Sequence, residues 1–152
     1  MDNYKTFIRN LTGSIVPVLA VASWAAIRGK DVTIKGMQFC GRHDSREEYM
    51  DDGYDIEIAG ETVNVKGSSR KFNSVREFAE QFKQYPRPIL VAATHVNTPD
   101  SYFILNKDKT GAMVIKKETK PHWGKRQVYD KRYNGFQEVY DVAEEHVSWV
   151  DL

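Results

Sequence analysis

Residues 53–69 bring acidic, amide and lysine side chains together on two short segments that alternate polar and apolar residues. Asp55 and Glu57 belong to the first segment, and Asn64 and Lys66 belong to the second. Oxygen ligands of this kind suit Mg²⁺, which takes few protein ligands and keeps several waters. A metal-bound water ionises more readily, and a neighbouring lysine orients that water or stabilises negative charge on a phosphate. The pattern indicates a divalent cation beside an attacking water.

A hairpin turn centred on residues 59–60 would place these side chains on one face. The predicted opposed pairs are Ile58–Glu61, Glu57–Thr62, Ile56–Val63 and Asp55–Asn64. Directly opposed residues have Cβ atoms roughly 4.5–5.5 Å apart, and side chains alternate between the two faces of a strand. The apolar residues of both strands then point to the opposite face, where they pack against a helix. Surface pairing of an acid with a lysine would give the same pattern without any function.

The elements around this hairpin define its context. We expect a helix from residue 15 to about Arg28, a helix over 75–85 capped by Ser74, and a central apolar strand over 89–96. A hairpin over 101–116 and a basic turn-rich stretch to Gly135 follow. Residues 136–142 and 147–150 would then form either two terminal strands or one strand and a short helix. The chain is therefore predicted to be a single domain, residues 1–152, of the α/β (α+β) class. Its expected architecture is a single mixed β-sheet flanked by helices.

This order of elements resembles the PD-(D/E)XK nuclease superfamily, which has the restriction-endonuclease-like fold. The likeness covers roughly residues 15–106, and its specific part is residues 53–69. Asp55 matches the aspartate of the family motif, Lys66 matches its lysine, and Val65 fills the free middle position. The resemblance implies a metal-dependent DNA endonuclease that uses Mg²⁺ or Mn²⁺, and a homodimer by analogy with small nucleases. The implied catalytic residues are Asp55, Glu57, Asn64 and Lys66, and the implied metal positions are Asp55, Glu57, Asn64 and Val65.

Asn64 departs from the acidic position of the family motif. An amide keeps one carbonyl oxygen but lacks the negative charge, so metal affinity should fall. Three explanations stay open: Glu57 supplies the missing charge, the protein is an inactive nucleic-acid-binding relative, or the chain is an engineered inactive variant. A glutamate on the preceding helix often assists in such nucleases, and Glu47 or Glu48 is the candidate for that place.

A basic segment between residues 116 and 132 contains seven lysines and arginines against two acids, with aromatic residues between them. Basic and aromatic residues together suit phosphate contacts and base stacking, although a solvated surface loop is the equal alternative. The residues expected to contact nucleic acid are Arg70, Lys71, Lys116, Lys117, Lys120, His122, Trp123, Lys125 and Arg126.

Bulk properties narrow the class of protein further. The net charge of +1 does not by itself indicate a nucleic-acid binder. Cys40 is the single cysteine, which favours a reducing, cytoplasmic setting, and no apolar run is long enough to span a membrane. The four histidines lack the spacing of zinc ligands. The alternatives to a nuclease are a nucleic-acid-binding protein without catalysis and a protein-binding or inhibitor module.

Overall fold

Helix α1 begins the described part of the computed structural model, which covers residues 15–35, 54–93, 97–131 and 134–152. Pro17 lies in the first turn, where a helix needs no N–H group from it. Gly29, with φ of 80°, follows the helix end, and the Lys30 N–H donates to the carbonyl of Ala25. This left-handed glycine closes the helix where the sequence predicts.

Nine strands, two α-helices and two 3-10 helices make up the described chain. In order they are α1 (Ile15–Ile27), β1 (Val32–Ile34), β2 (Ile56–Ile58), β3 (Glu61–Gly67), α2 (Val75–Glu80), β4 (Ile89–Ala92), β5 (Ser101–Leu105), β6 (Gly111–Lys116), a 3-10 helix (Lys117–His122), β7 (Gly124–Asp130), β8 (Gly135–Val142), a second 3-10 helix (Glu144–His146) and β9 (Ser148–Asp151).

The strands form two sheets. The large sheet has the order β1-β2-β3-β5-β6-β9, and the small sheet has the order β4-β8-β7. Every neighbouring pair is antiparallel except β3 and β5, which run parallel. The chain is thus α+β with a large mixed sheet, as expected. The expectation of a single sheet is wrong, because β7 forms where the sequence suggested a turn-rich segment. Its half-buried and exposed residues alternate regularly along the strand.

The apolar run of residues 89–96 does not form the central strand that its composition predicts. Strand β4 covers only Ile89–Ala92 of it and lies at an edge of the small sheet, and residues 94–96 lie outside the described range. The doubly covered strand is β5, in which all five residues are buried. An apolar run predicts burial on both faces, but it does not specify the partner strand.

Two apolar cores cover the two faces of the large sheet. On one face, Val18 and Val21 of α1 pack against Val63, Val65 and neighbouring residues. On the other face, residues of the small sheet and Phe72, which precedes α2, pack against Tyr102, Ile104 and residues of β6. The molecule therefore has three layers, with β5 and β6 in the middle one.

Helix α2 ends at Glu80 and is therefore shorter than the predicted helix over 75–85. Ser74 is the N-cap as predicted, since its hydroxyl accepts a hydrogen bond from the Glu77 N–H at 3.1 Å. The helix ends at Glu80, and the chain continues in i→i+3 turns to Tyr85. These tighter turns bring Phe82 and Tyr85 towards the small sheet, where both line one groove.

In the part of the chain that the structure describes, no helix has the length and apolar character needed to cross a bilayer.

The β2–β3 turn provides a test of local backbone strain. Ala59 has φ of 50° and Gly60 has φ of 83°, the two positive values of a type I′ turn. We expect Ala59→Asn to raise the free energy of unfolding by about 0.5–1 kcal/mol, because alanine is strained in the left-handed region and asparagine tolerates it. Urea unfolding followed by circular dichroism measures this change.

Gly60→Ala is the matched variant, because a Cβ at this position meets no atom within 4 Å and the substitution changes only backbone strain. It should lower the free energy of unfolding by about 1 kcal/mol. Equal stability of both variants and the parent chain would contradict the assigned turn.

Candidate functional site

The β2–β3 hairpin has the register that the sequence predicts over its first three pairs. Ile58 faces Glu61, Glu57 faces Thr62, and Ile56 faces Val63. The apolar residues Ile56, Val63 and Val65 are buried in the core beneath α1. The alternation of side chains therefore leaves Glu57, Asn64 and Lys66 on the opposite face of the sheet.

Asp55 departs from the predicted pairing with Asn64. The Asp55 N–H donates to the carbonyl of Val63 at 2.8 Å, although Ile56 is already the pairing partner of Val63. Asp55, which directly precedes β2, and Ile56 thus both face Val63 of β3, and two residues against one is the count that defines a β-bulge. The carboxylate of Asp55 accepts a hydrogen bond from the Val65 N–H at 2.7 Å. A side-chain oxygen therefore replaces the backbone acceptor that a regular ladder would supply.

The surroundings of the Asp55 carboxyl shift its ionisation. Burial raises its pKa above the ordinary value of 3.8, and the hydrogen bond from Val65 and the charge of Lys35 oppose this rise. The Asp55 carbonyl also accepts a hydrogen bond from the Lys35 N–H at 3.0 Å, which ties the bulge to the segment after β1. Hydrogen bonds thus hold both the backbone carbonyl and the carboxylate of Asp55, and the bond from Val65 fixes the direction of the carboxylate.

Asn64 and Lys66 follow along β3 at intervals of roughly 6.6 Å, two residues of an extended strand. Their partners on β5 are Tyr102 and Ile104. Burial raises the pKa of Tyr102 to about 12, so its phenol stays protonated at neutral pH. Glu57 is diagonal to Asn64, at a Cβ separation of roughly 7–8 Å. Asn64 and Lys66 therefore flank the residue that the Asp55 carboxylate contacts, whereas Glu57 lies nearer the turn, about 13 Å along the strand from Lys66.

These residues offer a small donor set for a divalent cation. One carboxylate, one amide and a nearby glutamate are available, and Mg²⁺ is often held by one or two carboxylates together with substrate phosphates. Among the described residues, no group of three or more histidine, cysteine or acidic side chains is placed to hold a metal. A cation at this hairpin would need substrate oxygens as further ligands, and Val65 contributes no side-chain donor.

A groove of about 290 Å³ adjoins this polar face. It lies between β3, the segment after α2, and strands β4 and β7, on the side of the large sheet away from α1. Lys66, Arg70 and Arg126 supply its cations, and the described residues that line it include no acid. Lys66 of the hairpin, Arg70 from the segment that follows it and Arg126 of the basic segment thus meet in a single positive groove.

Aromatic rings hold both arginines of the groove. The Arg70 guanidinium lies 4.5 Å from the centre of the Phe82 ring, and the Arg126 guanidinium lies 4.1 Å from that of Tyr85. Arg126 Nε is also 3.8 Å from a carboxylate oxygen of Asp141, a buried residue. A guanidinium that rests its face on a ring keeps its N–H edge for acceptors. The two arginines are therefore oriented before any ligand arrives.

The remaining lysines of the basic segment do not share this surface. Lys116 and Lys117 line a larger cleft, of about 840 Å³, on the α1 side of the large sheet. That cleft also contains acidic residues, so it is less suited to a polyanion. Lys120 donates to the hydroxyl of Thr98 at 2.6 Å, and Lys125 forms an ion pair with Glu138 at 3.4 Å.

Three further residues predicted to contact nucleic acid have other environments. The Trp123 ring packs against Tyr102 and Tyr140, and its N–H donates to Thr119 at 2.9 Å, so it stabilises the second core. His122 stacks on His146 with ring centres 4.7 Å apart. Lys71 is exposed, and its carbonyl accepts a hydrogen bond from Gln81.

Glu47 and Glu48, the candidates for an assisting glutamate, lie outside the described residues. The sequence did not single out Tyr102, which pairs with Asn64 across the sheet. It also did not single out Phe82 and Tyr85, whose rings lie against the two arginines. The aromatic residues after α2 were a signal for the latter two, but their contacts with Arg70 and Arg126 depend on the tertiary fold.

Comparisons of the chain with protein-family models, with curated proteins and with solved structures find no match.

The bond from Val65 to Asp55 predicts different effects for two substitutions. Asp55→Ala should lower the free energy of unfolding by about 1–3 kcal/mol, because it leaves a partly buried N–H without its acceptor. Asp55→Asn should cost less, because the amide oxygen still accepts the bond. Urea unfolding at neutral pH measures both values, and equal stability of Asp55→Ala and the parent chain would contradict the bond.

The raised pKa of Asp55 also gives a pH dependence with a defined sign. The folded state keeps the Asp55 proton at pH values where the unfolded state has lost it, so this residue's contribution to stability falls as pH rises from about 3.8 through the raised value. Asp55→Asn should remove that part of the pH profile. A profile unchanged by Asp55→Asn would show that the carboxyl does not titrate as described.

Proposed function

We propose that this chain is a metal-dependent DNA endonuclease that hydrolyses phosphodiester bonds. The observation that carries the proposal is the hairpin, in which the Asp55 carboxylate accepts the Val65 N–H between Asn64 and Lys66, and Lys66 also lines an acid-free cationic groove. Phosphodiester hydrolysis needs a site that activates water and a surface that holds the sugar–phosphate backbone. Here Lys66 belongs both to the hairpin and to the groove.

The order of elements around the hairpin supports the same proposal. Helix α1 precedes the antiparallel strands β1, β2 and β3, and α2 connects β3 to a strand that pairs with it in parallel. This arrangement agrees with the resemblance to the restriction-endonuclease-like fold. The strand that follows the crossover is β5, with β4 placed aside in the small sheet.

Each residue of the site has a distinct role in this proposal. Asp55, with the Asn64 amide and Glu57, would hold a Mg²⁺ or Mn²⁺ ion, which supplies a more acidic water and neutralises charge on the phosphate. Lys66 orients the attacking water or stabilises the charge that builds on the phosphate oxygens. Arg70 and Arg126 bind backbone phosphates through N–H edges that Phe82 and Tyr85 keep in place.

Asn64 favours a second candidate, a nucleic-acid-binding protein of the same fold without catalysis. The amide lacks the charge that a second carboxylate would add, and one oxygen of Asp55 already accepts the Val65 hydrogen bond. The described residues also supply no cluster of three metal-binding side chains. The groove keeps its function in this case, and only the hydrolysis is lost.

Plasmid cleavage with Mg²⁺ or Mn²⁺ separates the two candidates. We expect Asn64→Asp to raise the cleavage rate at least tenfold, because the added carboxylate strengthens cation binding, and Lys66→Ala in that background to abolish cleavage. Asn134→Asp, which adds the same charge at the exposed β7–β8 turn, is the matched control and should change nothing. DNA binding without cleavage by any variant would support the second candidate, and loss of both binding and cleavage would reject both.

The two arginines make a separate prediction about salt. The double substitution Arg70→Gln and Arg126→Gln should weaken duplex DNA binding and reduce the slope of log affinity against log salt by roughly two, one for each lost phosphate contact. Lys30→Gln is the control, because Lys30 lies in the larger cleft on the α1 side of the sheet. Fluorescence anisotropy over a salt series measures both slopes, and equal slopes would place the phosphate contacts elsewhere.

A further inference from the structure

The groove has a lining that a phosphate alone does not explain. Lys66, Arg70 and Arg126 lie at its polar side, while Phe78, Leu90 and Val128 supply apolar surface. An inorganic anion would use the cations and leave the apolar surface in water. A ligand that covers the whole lining must carry both a negative group and a flat or apolar body, because apolar burial is favourable on its own account.

The size of the groove restricts that ligand to one small unit. Its volume of about 290 Å³ lies near the lower end of pockets that take small molecules, roughly 300–1,000 Å³. One nucleotide has both the size and the mixed chemistry. A base-paired duplex is too wide to enter, so a nucleotide that uses the apolar surface must have an unpaired base.

The arginines indicate how such a nucleotide would lie. Arg70 and Arg126 each rest on a ring, Phe82 and Tyr85, so their N–H edges are the parts that meet a phosphate. Arg126 Nε is buried and faces the Asp141 carboxylate at 3.8 Å, so the terminal N–H groups of this arginine are the ones left for a phosphate in the groove. The aromatic ring of Phe78 and the neighbouring aliphatic groups then face the base. Base contacts with such surfaces tolerate any base.

We infer that this groove binds one unpaired nucleotide of a nucleic-acid strand, with its phosphate on Arg70, Arg126 and Lys66 and its base on the apolar surface. This inference rests on the proposed function and names its substrate class: strands with an unpaired end or branch are preferred to a continuous duplex. Because Lys66 belongs both to the hairpin and to the groove, the bound nucleotide lies next to the phosphodiester that the hairpin addresses.

Equilibrium binding without divalent cations tests the inference separately from cleavage. Fluorescence anisotropy compares the full chain on three labelled DNAs in EDTA: a blunt duplex, the same duplex with a five-nucleotide unpaired tail, and the tail sequence alone. We expect the tailed duplex to bind roughly tenfold more tightly than the blunt one, the effect of about one stacked base. An acidic peptide, poly-glutamate, should compete weakly, because its side chains cannot cover the apolar surface.

Variants that fill the groove test whether the preference for the unpaired tail arises there. Val128→Phe and, on a different strand, Leu90→Phe should each remove the preference for the tail, so that each variant binds the tailed and the blunt duplex with affinities within about twofold of each other. Gln127→Phe is the matched control, because Gln127 is the exposed neighbour of Val128 on the other face of β7 and should keep the preference. Thermal unfolding shows which variants are folded, and one folded groove-filling variant is enough for the comparison.

The outcomes separate this inference from the proposed function. Tight binding of the blunt duplex without preference for the tail overturns the inference and leaves the proposed function in place. A preference that survives in a folded groove variant, or equal competition by poly-glutamate, also overturns it. Absence of binding to every DNA rejects the proposed function and the inference together.

Discussion

The parallel pairing of β3 with β5 is the constraint on which the rest of the structure depends. It joins the polar hairpin to the strand that both cores bury. Asp100 fixes the start of this pairing, since its carboxylate accepts hydrogen bonds from the N–H and the hydroxyl of Thr62 at 2.9 and 3.2 Å. A parallel pair needs a long connection, and that connection contains α2 and β4. The walls of the groove are therefore a direct result of the crossover.

The groove is positive because the fold brings Lys66, Arg70 and Arg126 together, whereas the net charge of the chain is only +1. An exposed arginine loses side-chain freedom when it binds an anion, and that loss weakens the contact. Arg70 and Arg126 have lost part of this freedom already, through Phe82 and Tyr85. Local orientation thus reduces the side-chain entropy that these two arginines would lose on binding an anion.

The features that the sequence predicts correctly are those that neighbouring residues determine. The turn at residues 59–60 and the cap at Ser74 need only short-range geometry, and the hairpin pairs follow from the turn. The bulge at Asp55 was not predictable, because strict alternation assumes that pairing continues without an extra residue. The parallel partner of β3 and the strand β7 were missed for a related reason: apolar runs and charges report burial or exposure, but not which strand lies alongside.

Asp55 serves the backbone of the sheet as well as the site, and this has a consequence for how the protein can change over evolutionary time. Mutations at position 64 alter charge on an accessible face and leave the strand pairs intact. Mutations at position 55 to residues without a side-chain oxygen remove the acceptor of the Val65 N–H, so folding itself selects against them. An aspartate at position 55 in a descendant of this chain would thus report an intact β2–β3 hairpin, whereas under the proposed function the residue at position 64 would report selection for hydrolysis.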